Sequence, residues 1–170
     1  TSAKITAKAL TVSEITTNDK VYDANTSATL KTVGTIDKIT SDDVSLSTTA
    51  TFNNKNVENV KTVNLDYTLS GEDSANYSLS DASNVATRAK ITKANAVITA
   101  TSDDSKVYTG LTQTVSGFTA SGLVNGETIS VLDGVSGASA SGINAGTYKT
   151  VLAGTDENYN LTFEDGKLTI

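Results

Sequence analysis

The strongest constraint on this 170-residue chain is that its sequence repeats itself. The segment Lys20-Val21-Tyr22 returns 86 residues later as Lys106-Val107-Tyr108, and Lys4-Ile5-Thr6 returns at the same offset as Lys90-Ile91-Thr92. Three more pairs follow at similar offsets: Ile39 to Ser45 with Val124 to Ser130, Lys61-Thr62-Val63 with Lys149-Thr150-Val151, and Asn76-Tyr77 with Asn158-Tyr159. Because the offset drifts by only a few residues, we interpret the chain as two diverged copies of one module in tandem, residues 1–92 and 93–170.

The composition excludes most enzyme classes. The chain has no His, Cys, Trp or Met, so it lacks the commonest general base, the best thiol nucleophile and the usual zinc and copper ligands. We therefore predict that it is not an enzyme, with no catalytic, cofactor-binding or metal-binding residues and no cofactor. Without disulfides, each small module must depend on apolar burial and backbone hydrogen bonds.

The charge restricts the partners. The net charge of −6 predicts a surface that repels nucleic acid and anionic lipid. No apolar run approaches the roughly 18 residues that a membrane helix needs, and the sequence does not open with a signal peptide. We expect a monomeric fragment of a longer protein that binds no nucleic acid, inserts into no membrane, and has neighbouring repeats of the same chain as its partners.

Alternating apolar and polar residues predict β-strands. The pattern is clearest from Val63 to Leu69, where every odd residue is apolar and every even residue is polar, which is typical of an antiparallel strand with one buried face. Turn dipeptides such as Asn125-Gly126 and Asp165-Gly166 separate the strands, and we expect Asp165-Gly166 to close the last hairpin. Residues Asn125 to Leu132 could form a single helical turn.

The fold class that we predict is all-β, with two tandem small antiparallel modules. The spacing of Asn144, Gly146 and Tyr148 is typical of a tyrosine corner and favours an immunoglobulin-like sandwich; a β-grasp-like module with one short helix is the alternative. The predicted core of the first copy is Leu10, Val12, Tyr22, Val44, Leu46, Val63, Leu65, Tyr67 and Leu69. The predicted core of the second copy is Val97 or Ile98, Tyr108, Val115, Phe118, Ile129, Val131, Tyr148, Val151 or Leu152, Leu161 and Leu168.

The junction between the copies has the sequence Lys90-Ile91-Thr92-Lys93-Ala94, without a run of Gly, Pro or Ser. A strand that continues into the next module with little slack restricts the swing of neighbouring modules. We therefore expect tandem modules to form a semi-rigid rod.

Three groups of residues could carry function, and each has a structural interpretation. The repeated tyrosines are either a contact platform for a glycan or protein or core residues with a polar tip, and we favour the core: Tyr22, Tyr77, Tyr108 and Tyr159. Acidic pairs such as Asp42-Asp43 and Asp103-Asp104 could hold calcium, but no segment has the pattern of a calcium loop, and we favour solvated charge. A Lys to Asn isopeptide crosslink would need a buried lysine, an asparagine and an acid, which the sequence alone does not place together.

The first copy resembles the YDG-type repeat of large secreted bacterial adhesins. The motifs that carry this resemblance are Lys20-Val21-Tyr22-Asp23-Ala24, Ser41-Asp42-Asp43-Val44, Phe52-Asn53-Asn54-Lys55-Asn56-Val57 and Asn76-Tyr77-Ser78-Leu79. Ala24 and Glu58 stand where the family usually has glycine. The second copy resembles the related MBG-type repeat through Lys106-Val107-Tyr108-Thr109-Gly110, Gly117-Phe118, Gly122 to Thr128, Asn144 to Tyr148 and Asn158 to Phe163.

This resemblance implies an exported filamentous protein of the filamentous-haemagglutinin or two-partner-secretion kind, in which such repeats form the stalk. We expect the chain to be secreted or at the bacterial cell surface, where it projects a distal adhesive domain. The alternative is that the modules themselves bind a host or matrix glycan, a host protein or a sister filament through open strand edges and exposed loops.

Overall fold

The structure, a computed structural model, describes residues 2–79 and 87–170. In these residues the chain forms β-strands and two short 3-10 turns, at Ser74–Asn76 and Ile129–Val131. The strands are β1 (Lys8–Leu10), β2 (Val12–Thr17), β3 (Lys20–Val21), β4 (Ser27–Ala28), β5 (Leu30–Ile36), β6 (Ser45–Phe52), β7 (Glu58–Ser70), β8 (Tyr77–Leu79), β9 (Thr87–Thr92), β10 (Ala94–Ala100), β11 (Gln113–Ser116), β12 (Phe118–Ser121), β13 (Ser139–Gly142), β14 (Thr147–Thr150), β15 (Tyr159–Glu164) and β16 (Gly166–Thr169). The predicted all-β fold class is confirmed, and the arrangement fits small sandwich-like modules.

The described residues divide into two compact units. The first unit holds the residues up to Lys20 and those from Asn25 to Thr92, and the second holds Val21–Ala24 and Lys93–Ile170. Strands β9 and β10 are separated by Lys93 alone. The predicted domain boundary between residues 92 and 93, and the semi-rigid junction, stay predictions.

The first unit is built around a long hairpin. Strands β6 and β7 pair in antiparallel register from Ser45 with Ser70 to Phe52 with Val63, inside a sheet of order β3-β9-β7-β6-β4. The separate ladders β2-β5 and β1-β8 complete the unit. Alternate residues of β7 are buried, as the sequence pattern predicts, because successive side chains of a strand point to opposite faces.

The second unit is built around β10. This strand pairs antiparallel with β12 and parallel with β15, and the ladders β11-β13 and β14-β16 accompany it. Four buried residues alternate along β10, namely Ala94, Ala96, Ile98 and Ala100. Three of these four are alanines, so β10 contributes little apolar volume, and larger side chains such as Tyr159 and Leu168 contribute more of the core.

Most of the predicted core positions are buried or partly buried. The fully buried ones are Leu10, Tyr22, Val44, Val63, Leu65, Ile98, Val115, Leu152 and Leu168. The partly buried ones are Val12, Leu46, Tyr67, Leu69, Val97, Phe118, Val131, Tyr148 and Leu161. The structure also buries Phe52, Ile91 and Leu132, which were not predicted to be core residues. It buries Tyr77 and Tyr159 as well, which the interpretation of the repeated tyrosines places in the core.

The core prediction is wrong at two positions. At a third position it left two neighbouring residues open, and the structure buries one of them. Tyr108 is 58% exposed and Ile129 is 47% exposed. Tyr108 lies in an irregular segment outside the strands, so no sheet directs its ring inward. The 3-10 turn that contains Ile129 buries the following Leu132 instead, and Leu152 is buried where its alternative Val151 is exposed.

The hairpin predicted at Asp165-Gly166 is also wrong. Strands β15 and β16 flank this dipeptide but do not pair, since β15 pairs with β10 and β16 pairs with β14. A Cβ at Gly166 would lie 2.5 Å from the backbone oxygen of Thr101. Gly166 therefore allows the backbone of Thr101 to approach closely where the chain passes from one ladder to the next. It does not form a tight hairpin turn.

Other predicted local features are confirmed. The single helical turn that the sequence allowed between Asn125 and Leu132 is present as the 3-10 turn Ile129–Val131. The Tyr148 hydroxyl donates a hydrogen bond of 3.0 Å to the Asn144 backbone oxygen, which is the contact of a tyrosine corner. Ala24 has a positive φ of 61°, so this alanine adopts the left-handed backbone conformation that favours glycine. The predicted antiparallel pairing is wrong for two ladders, since β1-β8 and β10-β15 are parallel.

Candidate functional site

A tyrosine fastened to a carboxylate holds a loop of the first unit. Tyr77 begins β8, and its hydroxyl donates a 2.6 Å hydrogen bond to Oδ2 of Asp42. The same hydroxyl accepts a 3.1 Å hydrogen bond from the backbone N–H of Ile39. The ring is buried, so one side chain links the core to the loop that connects β5 and β6.

The second unit contains the same arrangement. The Tyr159 hydroxyl donates a 2.6 Å hydrogen bond to Oε2 of Glu127 and accepts one of 3.1 Å from the N–H of Val124. In the internal repeat, Val124, Glu127 and Tyr159 correspond to Ile39, Asp42 and Tyr77. We call this three-part contact the tyrosine latch. Its presence in both units supports the interpretation of Tyr77 and Tyr159 as core residues with a polar tip.

A second tyrosine reaches the same carboxylate in the second unit. Tyr22 lies in the segment Val21–Ala24, which belongs to that unit, and its hydroxyl donates a 2.8 Å hydrogen bond to Oε1 of Glu127. The rings of Tyr22 and Tyr159 meet edge to face, with centroids 5.4 Å apart and an interplanar angle of 79°. Tyr108 corresponds to Tyr22 in sequence but is exposed, so the two are not structurally equivalent.

The electrostatics of the latch favour the neutral phenol. Burial, and next the hydrogen bond to Glu127, raise the pKa of Tyr159 to about 12. The hydrogen bond to Asp42 is the main cause that raises the pKa of Tyr77. A phenol held protonated in this way donates a hydrogen bond and is neither a base nor a nucleophile near neutral pH. The latch is therefore suited to holding loops and not to catalysis.

This pKa shift gives a prediction about alkaline stability. The folded unit keeps the Tyr159 proton at a pH where the unfolded chain, with a tyrosine pKa near about 10, loses it. Stability from the protonated phenol is thus fully present below about pH 10 and is lost as pH rises towards 12. We expect urea denaturation to show that the free energy of unfolding falls over this pH range. In Tyr159→Phe, which has no phenolic proton to lose at this position, this fall should be smaller by up to about 2 kcal/mol.

The control for the alkaline prediction is Tyr108→Phe, which removes one exposed tyrosine and leaves the latch intact. Its stability should follow that of the unmodified chain from pH 9 to pH 12. An equal loss of stability in Tyr159→Phe and Tyr108→Phe over this pH range would contradict the assignment.

The acidic pairs make local hydrogen bonds rather than a cation site. Oδ2 of Asp73 accepts a 2.8 Å hydrogen bond from the N–H of Asp43, and Oδ1 of Asp156 accepts the N–H groups of Asn158 and Tyr159. The pKa of Asp103 is lowered, first by the N–H of Ser105, and that of Asp104 is lowered, first by the Thr169 hydroxyl. Within residues 2–79 and 87–170, no group of three or more acidic side chains could hold a metal ion.

Lys61 is a charged side chain that the structure buries, and the sequence analysis missed it. Lys61 is 1% exposed, and its Nζ donates a 2.6 Å hydrogen bond to Oδ1 of Asn54. Oε2 of Glu58 lies 3.6 Å from the same Nζ. Lys61 precedes Val63 by two residues in β7, so continuing the alternation by one step would have placed it on the buried face.

The surface offers shallow depressions near the loops. One of about 260 Å³ lies beside Tyr77 and Lys8 in the first unit. In the second unit, one of about 440 Å³ borders Asp133 and another of about 450 Å³ borders Phe118. Among the described residues, no helix has the length and apolar character that crossing a bilayer requires.

Comparison with known protein families identifies both halves of the chain. Residues 6–85 match the YDG domain, and residues 96–169 match the MBG domain of the YGX type. The modules expected from the sequence motifs are therefore confirmed, and both are repeat-type domains that are not enzymatic. No curated protein and no solved structure matches the chain.

Proposed function

We propose that this chain, one YDG domain followed by one MBG domain, is a load-bearing spacer of an exported bacterial surface protein. It is a monomeric segment whose partners are neighbouring repeats, and it projects a distal adhesive domain from the cell. Its work is mechanical, and its residues hold strands and loops in place.

The observation that carries the proposal is the parallel pairing of an early strand with a late strand in each unit. In the second unit, β10 and β15 are paired from Ala94 with Tyr159 to Thr99 with Glu164. When the start of β10 and the end of β15 are pulled apart, the two parallel strands are drawn in opposite directions along their length. The hydrogen bonds between them are then loaded together in shear instead of one after another.

The first unit has a shorter version of the same feature. Strand β1 pairs in parallel with β8, from Lys8 with Tyr77 to Leu10 with Leu79. Leu10 and Tyr77 also lie in one buried cluster with Val44, and Tyr77 carries the latch to Asp42. The strand that first receives tension is thus paired with the strand that is fastened to the core.

A specific observation favours the alternative that the modules bind a ligand themselves. Three apolar side chains of one irregular segment are exposed: Val107 at 76%, Tyr108 at 58% and Leu111 at 72%. Exposed aromatic side chains are frequent anchors at protein contacts. This segment is where a glycan, a host protein or a sister filament would bind.

An array experiment distinguishes the two functions. We expect the chain to show no saturable binding to immobilised glycans and matrix proteins, because a spacer needs a non-adhesive surface. The matched variant is Tyr108→Ser, which should behave like the unmodified chain. Saturable binding that Tyr108→Ser abolishes, with the circular dichroism spectrum unchanged, would assign adhesion to the modules and overturn the spacer.

A further inference from the structure

The tip of the β6-β7 hairpin contains a reactive combination of side chains. Phe52 pairs with Val63 at the end of the ladder, and the N–H of Asn53 donates to the Thr62 oxygen at 3.1 Å. Continuing this register places Asn54 opposite Lys61. Two side chains that face each other across an antiparallel hairpin are in direct reach of one another.

The lysine amine in this pair is withdrawn from water. Lys61 is 1% exposed, whereas lysine is almost never fully buried unless it is paired. Its Nζ is 2.6 Å from Oδ1 of Asn54, so it already touches the carboxamide. This hydrogen bond keeps Nζ beside the carboxamide that it would attack once it has lost a proton, and such proximity removes most of the entropic cost of a reaction between two groups.

The carboxamide and a nearby acid complete the arrangement. Oδ1 of Asn54 also accepts a 2.9 Å hydrogen bond from the N–H of Asn56, and a donor aimed at a carbonyl oxygen stabilises the charge that develops there during attack. Oε2 of Glu58 lies 3.6 Å from Nζ of Lys61. The Glu58 side chain is 55% exposed, so a small rotation or one bridging water closes the gap to hydrogen-bond distance. The carboxylate can then take a proton from the amine and return it to the leaving group.

We propose that Lys61 and Asn54 form an intramolecular isopeptide bond, with Glu58 as the proton carrier. Glu58 accepts a proton from the Lys61 ammonium, and the Nζ lone pair attacks Cγ of Asn54. A bond forms between Nζ and Cγ, and the bond between Cγ and Nδ2 breaks. The amide nitrogen takes the proton from Glu58 and leaves as ammonia, and Glu58 then removes the second proton of Nζ and passes it to the ammonia, which departs as ammonium. The mass of the chain falls by one ammonia, and no oxidant or co-reactant is needed.

The crosslink would give the hairpin a covalent tie in a chain that has no cysteine. It joins β7 to the loop that follows β6, so the tip of the longest antiparallel ladder in the described residues could not open from that end. The inference rests on contacts inside the first unit and is independent of the spacer proposal, so either can fail without the other.

Mass spectrometry of the whole purified chain tests the crosslink. We expect an intact mass lower than the sequence mass by one ammonia. Tryptic digestion of the denatured chain should give a branched product that joins residues 39–55 to residues 56–88, because a modified Lys61 is no longer cleaved. An unshifted mass, or an ammonia loss with residues 56–61 released as a separate peptide, would overturn the proposal.

Variants separate chemistry from folding. Lys61→Met should abolish the branched peptide, and Glu58→Gln should slow its appearance after purification by roughly 100-fold or more. Glu72→Gln removes an exposed carboxylate of the same unit and should leave the crosslink unchanged. Glu58→Gln keeps the shape of the side chain, so it reports on proton transfer even if Lys61→Met fails to fold. Equal rates in Glu58→Gln and Glu72→Gln would remove Glu58 from the reaction.

Discussion

Tyr159→Ala is expected to lower the free energy of unfolding of the second unit by about 3 to 5 kcal/mol, the usual cost of deleting a buried aromatic ring. The Tyr159 side chain is 2% exposed and is among the largest fully buried ones. Its removal leaves a cavity against Tyr22 and deprives Glu127 of one of two phenolic donors. Tyr159→Phe keeps the ring and should cost about 1 to 2 kcal/mol through the lost hydrogen bonds.

The matched control for this prediction is Tyr108→Ala. Tyr108 is 58% exposed, and we expect its removal to change stability by no more than about 0.5 kcal/mol. Amide hydrogen exchange on the full chain measures both variants and locates the effect in residues 93–170. Equal effects of Tyr159→Ala and Tyr108→Ala would show that the latch does not support the second unit.

Gly137→Ala is expected to destabilise the second unit by about 3 kcal/mol, because it combines backbone strain with overpacking. Gly137 has a φ of 85°, and a Cβ there would lie 2.4 Å from the backbone oxygen of Val151. That oxygen belongs to main chain and cannot rotate away. The neighbouring residues Ser136 and Ala153 form a backbone bridge, which the added methyl group would push apart.

Gly126→Ala isolates the contribution of the backbone angle. Gly126 has a similar φ of 73°, but no atom lies within 4 Å of the position of its Cβ. The substitution should therefore cost only the roughly 1 kcal/mol of a left-handed alanine. Urea denaturation of the two variants measures the difference, and a Gly126→Ala effect as large as that of Gly137→Ala would contradict the steric explanation.

The sequence predicts those features that depend on local pattern. The alternation of β7 indicates its buried face, and the spacing of Asn144 and Tyr148 predicts a contact within five residues. The repeated Asn-Tyr pairs also locate both latch tyrosines. These features could be predicted because period-two burial and short-range hydrogen bonds depend only on residues that are close in sequence.

The features that were missed depend on distant chain segments. Tyr22 and Tyr108 have the same neighbours in sequence, and only the packing of Tyr22 against Glu127 and Tyr159 distinguishes them. Asp165-Gly166 has the composition of a hairpin turn. In the structure, the glycine is instead required by the close approach of the Thr101 backbone. Lys61 departs from the apolar pattern, and its partner Asn54 becomes its neighbour only through the register of the β6-β7 hairpin.

The parallel ladders were missed for a related reason. Alternation was interpreted as a sign of antiparallel pairing, but β10 alternates and pairs antiparallel with β12 and parallel with β15, so the pattern does not determine strand direction. The pairing of β10 with β15 joins residues about 65 positions apart in sequence. It is nevertheless the feature on which the proposed mechanical role depends.

Single-molecule pulling on the second unit in two directions tests that role most directly. The chain has no cysteine, so introduced cysteines give unique attachment points. Asn95→Cys with Asp165→Cys loads the β10-β15 ladder in shear, because Asp165 directly follows β15. Thr147→Cys with Thr169→Cys pulls apart one registered pair at the end of the β14-β16 ladder. We predict an unfolding force several-fold higher in the first geometry, and an equal or lower force there would contradict the load-bearing spacer.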